Sequence, residues 1–534
     1  MTSDTGATMQ TESMLIAMSC ALVGDLTCLS DSERKLAKAN QHLSIDQNEL
    51  AQVRQAILAG DDPLGDAFLQ MRTALQRRSD GAVYTPAPIV ESMMSWLSSQ
   101  ATPARVVDPG AGSGRFMIAA GKKFPHAALV GVEMDPLAAL MLRANLQVHG
   151  WAERATVLVQ DYRNVKLPAC RGITAFVGNP PYVRHHDIGE FWKHWYASRF
   201  AEFGIKASGL AGLHLHFFLQ TRLLAKQGDI GAFITSAEWL DVNYGSALRH
   251  LLIDELGGLA LHVLSPTVEA FPGTASTAAI TCFRVGETQV PMRVRSVPTL
   301  ELLNGLSKGQ EIARDKFQTQ KRWSIIVHPP ASHTSGEIEL GEFFRVHRGQ
   351  VTGANNIWIA GEHAAKLPDS IKIASVTKAR DLIDAGENLK CTQALRRVID
   401  IPADLDEFDR HEQRNINAFL AWARTQGADR SYTAQHRKTW WSVGLKDPAP
   451  ILCTYMARRP PQFTLNICGA RHINIAHGLY PRQQLSPEAL ATLVAWLNKN
   501  VSTDSGRTYS GGLTKFEPKE IERLHIPRLE TLTA

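Results

Sequence analysis

The stretch "RVVDPGAGSGRFMIAAGKKF", Arg105 to Phe124, passes from a short apolar run through a proline- and glycine-rich turn into a helix-like segment. A strand, a tight turn and a helix in that order are one arm of a parallel, helix-covered sheet. The pattern repeats downstream. "AALVGVEMD" is a second apolar run, followed by the helix-like "PLAALMLRANLQVHG" with Pro136 at its start. "ATVLVQDY" and "ITAFVGNPP" are further runs. "LHLHFFLQTRLLAKQG" reads as a helix closed by Gly228, and "DIGAFITS" as a strand. A helix "YGSALRHLLIDEL" and strands "LALHVL" and "TAAITCFRVG" complete the set. The expected fold is α/β: a doubly wound, mostly parallel Rossmann-like sheet.

The flanks read differently. Residues 1–80 carry "DSERKLAKANQHL" and "DQNELAQVRQAIL", two polar helices expected to start at acidic caps. Residues 81–290 hold the alternating pattern. Residues 291–339 have weak periodicity and read as a connector. Residues 340–534, with short strands, loops and scattered helices, read as a separate mixed α+β domain. A chain of 534 residues is long enough for roughly three domains at about 150 residues each.

Composition is that of an ordinary globular protein, 44% hydrophobic and 20% charged. The seven cysteines form no CxxC pair, which fits reduced thiols in a cytoplasm and argues against a disulfide framework. The apolar run "MLIAMSCALVG" follows Asp4 and Glu12 rather than Lys or Arg, and is too short to span a bilayer. The net charge of +5 permits a polyanionic partner. Residues 431–482 concentrate that charge in Arg437, Lys438, Lys446, Arg458, Arg459, Arg471 and Arg482, interleaved with Tyr432, Trp440, Trp441, Tyr455, Phe463 and Tyr480. Basic residues among aromatics suit a nucleic-acid surface; a solvated face over a small aromatic core is the competing reading.

Ligands of such sheets sit at the carboxyl ends of the strands. At the first strand end, Gly110, Gly112 and Gly114 let a ligand approach the backbone. The dinucleotide fingerprint needs glycine at 115, where Arg115 stands, so NAD is disfavoured. Asp108 can hold an ammonium group. Glu133, at the second strand end, can accept both hydroxyls of a ribose. Asp161, at the third, can accept a hydrogen bond from an exocyclic amine such as adenine's. Together they describe S-adenosylmethionine.

The fourth strand ends in Asn179-Pro180-Pro181-Tyr182. Two prolines continue neither strand nor helix, so they hold a rigid turn. A planar amine conjugated to a ring is a poor nucleophile because its lone pair is delocalised. The Asn179 amide oxygen and the Pro180 carbonyl can each accept one of its N–H groups and draw density onto nitrogen. Tyr182 offers a ring face for stacking. The turn therefore reads as a clamp for an amino group on a flat ring. His185, His186 and Asp187 follow as a solvated or DNA-facing turn, not a metal site, with Arg184 a phosphate contact.

Across about residues 81–534 the chain resembles the amino-methylating DNA methyltransferases, specifically the N6-adenine enzymes of the gamma motif order, the TaqI type. The motifs are "GAVYTPAPIVESM", "DPGAGSGRF", "GVEMDP", "QDY", "GNPPY", "GDIGAFITSAEWL", "LSPTVEAFPGTASTAAITCF" and, last, "GGLTKFEPKEIERLHIP". The resemblance implies cofactor contacts at Tyr84, Thr85, Pro86, Met134, Tyr162 and Asn179, beside Asp108, the three glycines, Glu133 and Asp161. It implies catalysis by Asn179, Pro180, Pro181 and Tyr182, with Phe271 stacking on the flipped base opposite Tyr182. "FFRVHRGQVTGANNIWI" resembles the entry to a target-recognition domain. Double-stranded DNA is then the partner, with a separate restriction endonuclease as a possible second, and no membrane. Arg437, Lys438, Arg458 and Arg459 are candidate DNA contacts. One departure is "GLHLHFF", Gly212 to Phe218, where the family often has Asp-Leu-Tyr. N4-cytosine methylation shares the clamp, although cytosine enzymes more often carry Ser where Asn179 stands. Methylation of a protein glutamine or an RNA base shares it too, without needing the basic, aromatic tail. A DNA-binding subunit with a decayed site is disfavoured by the intact Asn179 and glycine turn.

Overall fold

Nine strands make one sheet: β1 (Arg105–Asp108), β2 (Ala128–Glu133), β3 (Ala155–Val159), β4 (Thr174–Gly178), β5 (Ile230–Ser236), β6 (Gly258–Leu264), β7 (Ala278–Arg284), β8 (Met292–Val297) and β9 (Gln310–Ile312). Their order is β3-β2-β1-β4-β5-β7-β6-β8-β9. The first five are parallel, with Val107 opposite Val130 on one side and Phe176 on the other. β7 runs antiparallel to both β5 and β6. This computed structural model describes residues 9, 11–72, 85–265, 268, 277–327, 329, 337–509 and 513–527. Tyr84 and Phe271 lie outside the described residues.

β1, β4 and β5 are buried along their whole length, which is why they read as unbroken apolar runs rather than alternating ones. Helices cover both faces. On one side lie α5 (Ala87–Gln100), α6 (Arg115–Lys123) and α7 (Pro136–Val148), with Ile89, Met93, Leu97, Phe116, Met117 and Leu142 in the core. On the other lie α8 (Glu190–Ala201) and α9 (Leu213–Leu224), with Tyr196, Phe200, Leu215 and Phe218. α9 closes at Ala225 rather than at Gly228, which instead takes a left-handed turn into β5. The segment read as a connector supplies β8 and β9, so the sheet continues past residue 290.

The N-terminal helices are α1 (Glu12–Val23), α2 (Asp31–Ala39), α3 (Gln47–Ala59) and α4 (Pro63–Met71). Asp46 caps α3 as expected, but α2 is capped by Ser30 in a capping box with Glu33, not by Asp31. The run "MLIAMSCALVG" is α1, buried through Leu15, Ile16, Met18, Leu22 and Val23. Its partners are Leu137, Leu140, Met141, Ala144 and Val148 of α7. α7 thus packs on two sides, the sheet through Ala139 and Leu142 and α1 through the rest, and its sequence is apolar nearly all round. Among the described residues no helix is long and apolar enough to cross a membrane.

The chain divides into two compact units, Met1–Pro329 and Pro330–Ala534. The second is built on a five-stranded sheet whose order is Phe344–Arg348, Ala476–Pro481, Ile451–Thr454, Phe463–Asn466 and Asn388–Leu389. Pro487–Asn500 packs on it through Leu493, Val494 and Leu497. A second apolar cluster gathers Trp358 and the helix Arg410–Thr425, with the half-buried Trp440 and Trp441 against it.

Candidate active site

β2, β1 and β4 are adjacent, and the chain turns at their carboxyl ends carry the sequence motifs. In the turn after β1, Gly114 has φ of 104°, a left-handed conformation that suits glycine, and an added Cβ would sit 2.5 Å from Leu142 Cδ1. The turn is also held from β2. Glu133 Oε2 accepts from the Gly112 N–H at 2.9 Å, and Oε1 accepts from Met134 and Asp135 N–H at 2.7 and 2.9 Å. Burial raises the Glu133 pKa, and these backbone donors oppose that shift. Met134, beside it, is exposed and leaves an apolar side chain at the strand end.

Asp108 is fully buried at the end of β1. Its Oδ1 accepts from the Gly110 N–H at 3.3 Å, while Oδ2 is buried with no partner among the described residues. Burial pushes its pKa up to about 8, against the Gly110 hydrogen bond and assisted by the charge of Glu133. A buried carboxylate lacking a partner is costly unless a cation completes it. The ammonium of an amino acid moiety is such a cation. An S-adenosylmethionine molecule therefore fits the donor and acceptor set: an unpaired acceptor at Asp108, an oriented carboxylate at Glu133 and glycine backbone between them.

The clamp lies directly against this turn. A Cβ on Gly110 would be 3.6 Å from Pro181 Cδ and 3.8 Å from the Asn179 carbonyl oxygen. A Cβ on Gly178 would meet Asp108 Oδ1 at 2.6 Å, so only glycine fits there. The Asn179 side-chain NH₂ donates to Thr85 Oγ1 at 3.2 Å. That bond leaves the amide oxygen as the end able to accept from a substrate amine. Thr85 is buried and precedes Pro86, the N-terminal cap of α5. The half-buried Tyr182 ring lies 5.9 Å from that of His214, tilted by 31°. His214 falls within "GLHLHFF", the segment that departs from the family pattern, and burial lowers its pKa to about 4, so it is neutral at pH 7.

Other expected residues are placed differently. Asp161 accepts from Arg163 at its backbone N–H, 2.9 Å to Oδ1, at Nε, 3.0 Å to Oδ1 and 3.2 Å to Oδ2, and at a terminal nitrogen, 2.6 Å to Oδ2. Arg163 in turn stacks 3.8 Å above the Trp192 ring. The Tyr162 side chain points into the core, its hydroxyl bonded to Thr221 Oγ1 at 3.0 Å and its ring against Phe217. In the second unit, Arg437 is half-buried and donates to the carbonyls of Val351 and Thr352 at 2.5 and 3.1 Å. Arg471 pairs with Asp447 at 2.9 Å, and Arg482 donates to the Gly341 carbonyl at 2.8 Å. Lys438, Arg458 and Arg459 are exposed, as is Arg184 after the clamp. His214, beside Tyr182, is not among the residues expected from the sequence; only the departure at "GLHLHFF" points toward it.

Residues 59–285 match the N-6 DNA methylase family, and residues 331–534 match the C-terminal domain of the Type II methyltransferase M.Eco57I. The chain is 66% identical over 534 residues to the Type II methyltransferase M.XamI of Xanthomonas campestris pv. amaranthicola, a match covering 98% of this chain and 100% of that one. It is 20% identical to the Type II methyltransferase M.AccI of Acinetobacter calcoaceticus, over 84% of this chain and 85% of that one. Among solved structures, the Type IIL restriction-modification enzyme MmeI, in complex with DNA, shares the fold with a TM-score of 0.58 at 12% identity, over 96% of this chain and 79% of that one. Fold, site and relatives define an adenine-specific DNA methyltransferase that uses S-adenosylmethionine. The chain belongs to the N-6 DNA methylase family, among the Type II methyltransferases of restriction-modification systems.

Proposed function

We propose that the chain methylates the N6 amine of an adenine extruded from double-stranded DNA at a specific sequence. The observation that supports this is the closeness of the Asn179-Pro180-Pro181 turn to Gly110, where an added Cβ would lie 3.6 Å from Pro181 Cδ, at the ends of adjacent strands. When bound, S-adenosylmethionine supplies the electrophilic methyl group. Asp108 holds its ammonium, Glu133 its ribose hydroxyls, and Met134 covers an apolar face. Asn179 and the Pro180 carbonyl accept the two N–H groups of adenine and direct its lone pair. Tyr182 stacks on the ring. Extruding the base costs a few kcal/mol, and stacking repays roughly 1–3 kcal/mol per base.

Residues 340–534 read the target, with Lys438, Arg458 and Arg459 contacting phosphates; the enzyme works in the cytoplasm beside a separate endonuclease. Expression in a methylation-free host, followed by single-molecule sequencing, tests the whole reading. N6-methyladenine at one recurring sequence is the expected result. N4-methylcytosine, or no modified base from a protein that binds the cofactor, would overturn it.

A further inference from the structure

The glycine turn is gripped from outside the sheet. Asp62, which caps α4, is buried, and its Oδ1 accepts from the Gly65 N–H at 3.0 Å. Its Oδ2 accepts from Ser113 Oγ at 2.6 Å and from Arg115 Nε at 2.9 Å. Ser113 and Arg115 flank Gly114, one of the turn's two left-handed glycines, so one carboxylate holds both sides of it. Arg115 reaches on to Asp66 Oδ1 at 2.7 Å, one turn along α4. The approach is close: a Cβ on Gly65 would lie 2.7 Å from Ser113 Oγ. A second strut leaves the other end of α4, where Arg72 pairs with Asp135 Oδ2 at 2.9 Å. Asp135 caps α7 and stands two residues past Glu133.

We propose that α4 is a brace for the cofactor site and that Asp62 is a positioning residue for S-adenosylmethionine, acting through Ser113 and Arg115. The proposal rests on the assignment of the glycine turn to the cofactor. Its physical basis is that a glycine-rich turn is conformationally permissive, and a misplacement near 1 Å degrades binding and positioning. The other buried ion pair of this region, Glu33 with Arg143 at 2.8 Å, ties α2 to α7 and touches no residue of the turn. It serves as the control.

The full-length chain is compared with Asp62→Asn, Ser113→Ala, Glu33→Gln and Asp108→Asn. Cofactor Kd is measured by calorimetry, with thermal midpoints and the separate KM values for cofactor and DNA. Asp62→Asn and Ser113→Ala should raise cofactor Kd and KM by about tenfold, equivalent to one lost hydrogen bond of ordinary strength. Turnover at saturating cofactor and the KM for DNA should stay within about twofold of the parent. Glu33→Gln should lower the thermal midpoint and leave cofactor Kd unchanged. Should Asp62→Asn not fold, Ser113→Ala decides, since it removes a single hydroxyl. Cofactor Kd within twofold of the parent in Ser113→Ala, or an equal loss in Glu33→Gln, overturns the brace. If Asp108→Asn also binds normally, the cofactor assignment itself fails and the brace falls with it; if Asp108→Asn loses binding while Ser113→Ala does not, the brace alone is wrong.

Discussion

Replacing Asp108 by Asn should make the ligand-free protein more stable and nearly unable to hold its cofactor. The folded state raises the Asp108 pKa to about 8, so between the ordinary aspartate value and that point the folded chain binds more protons than the unfolded one. Stability from this group is therefore greatest in acid and is lost as pH rises through that window. At pH 7 the ionisable group costs up to roughly 4 kcal/mol relative to an uncharged side chain of the same shape. Asn keeps that shape and removes the cost. Cofactor binding runs the other way, because an ammonium requires the ionised carboxylate. From about pH 6 to about pH 7, where the cofactor's own ammonium stays largely protonated, affinity should rise by close to tenfold. Binding should release close to one proton in that range. Calorimetry in two buffers of different ionisation enthalpy measures the release, and differential scanning measures stability. In Asp108→Asn the pH slope and the proton release should both vanish. A wild-type affinity that is flat with pH, or a mutant that melts lower while binding normally, would refute the assignment.

Asn179→Ala should nearly abolish methyl transfer while leaving cofactor Kd within a few-fold, because its amide oxygen acts on the target amine; near-normal turnover in a tritium-transfer assay would sink the clamp. Glu133→Ala should weaken cofactor binding by about 1.5–3 kcal/mol, the range for a hydrogen bond to a charged group. Part of that loss would come through the Gly112 N–H it now holds, and calorimetry reads the sum. Replacing Arg458 and Arg459 together by Ala should flatten the salt dependence of DNA affinity by about two units, one per phosphate contact. An unchanged slope would make residues 431–482 a solvated face.

The alternation of apolar runs and helix-like segments was legible from residue 104 onward because it is local. A parallel strand buried on both faces must be apolar throughout, and β1, β2, β4 and β5 stand where the runs do. The glycine turn and the Asn179-Pro180-Pro181-Tyr182 turn were legible for the same reason: glycine and proline restrict the backbone where they stand. What tertiary structure decided was where side chains spend their polar groups. Asp161 meets Arg163, Tyr162 turns inward to Thr221, and one terminal nitrogen of Arg437 donates to loop carbonyls. Periodicity carries no signal for such choices. β8 and β9 form no apolar run: β8 sets Arg293 and Arg295 between its buried Met292, Val294 and Val297, and β9 is three residues at the sheet edge. The brace from Asp62 to Ser113 joins residues 51 positions apart, with no local pattern to announce it. It exists because α7 is apolar on both sides, so α1 and α4 pack over it and bring α4 to the turn at the end of β1.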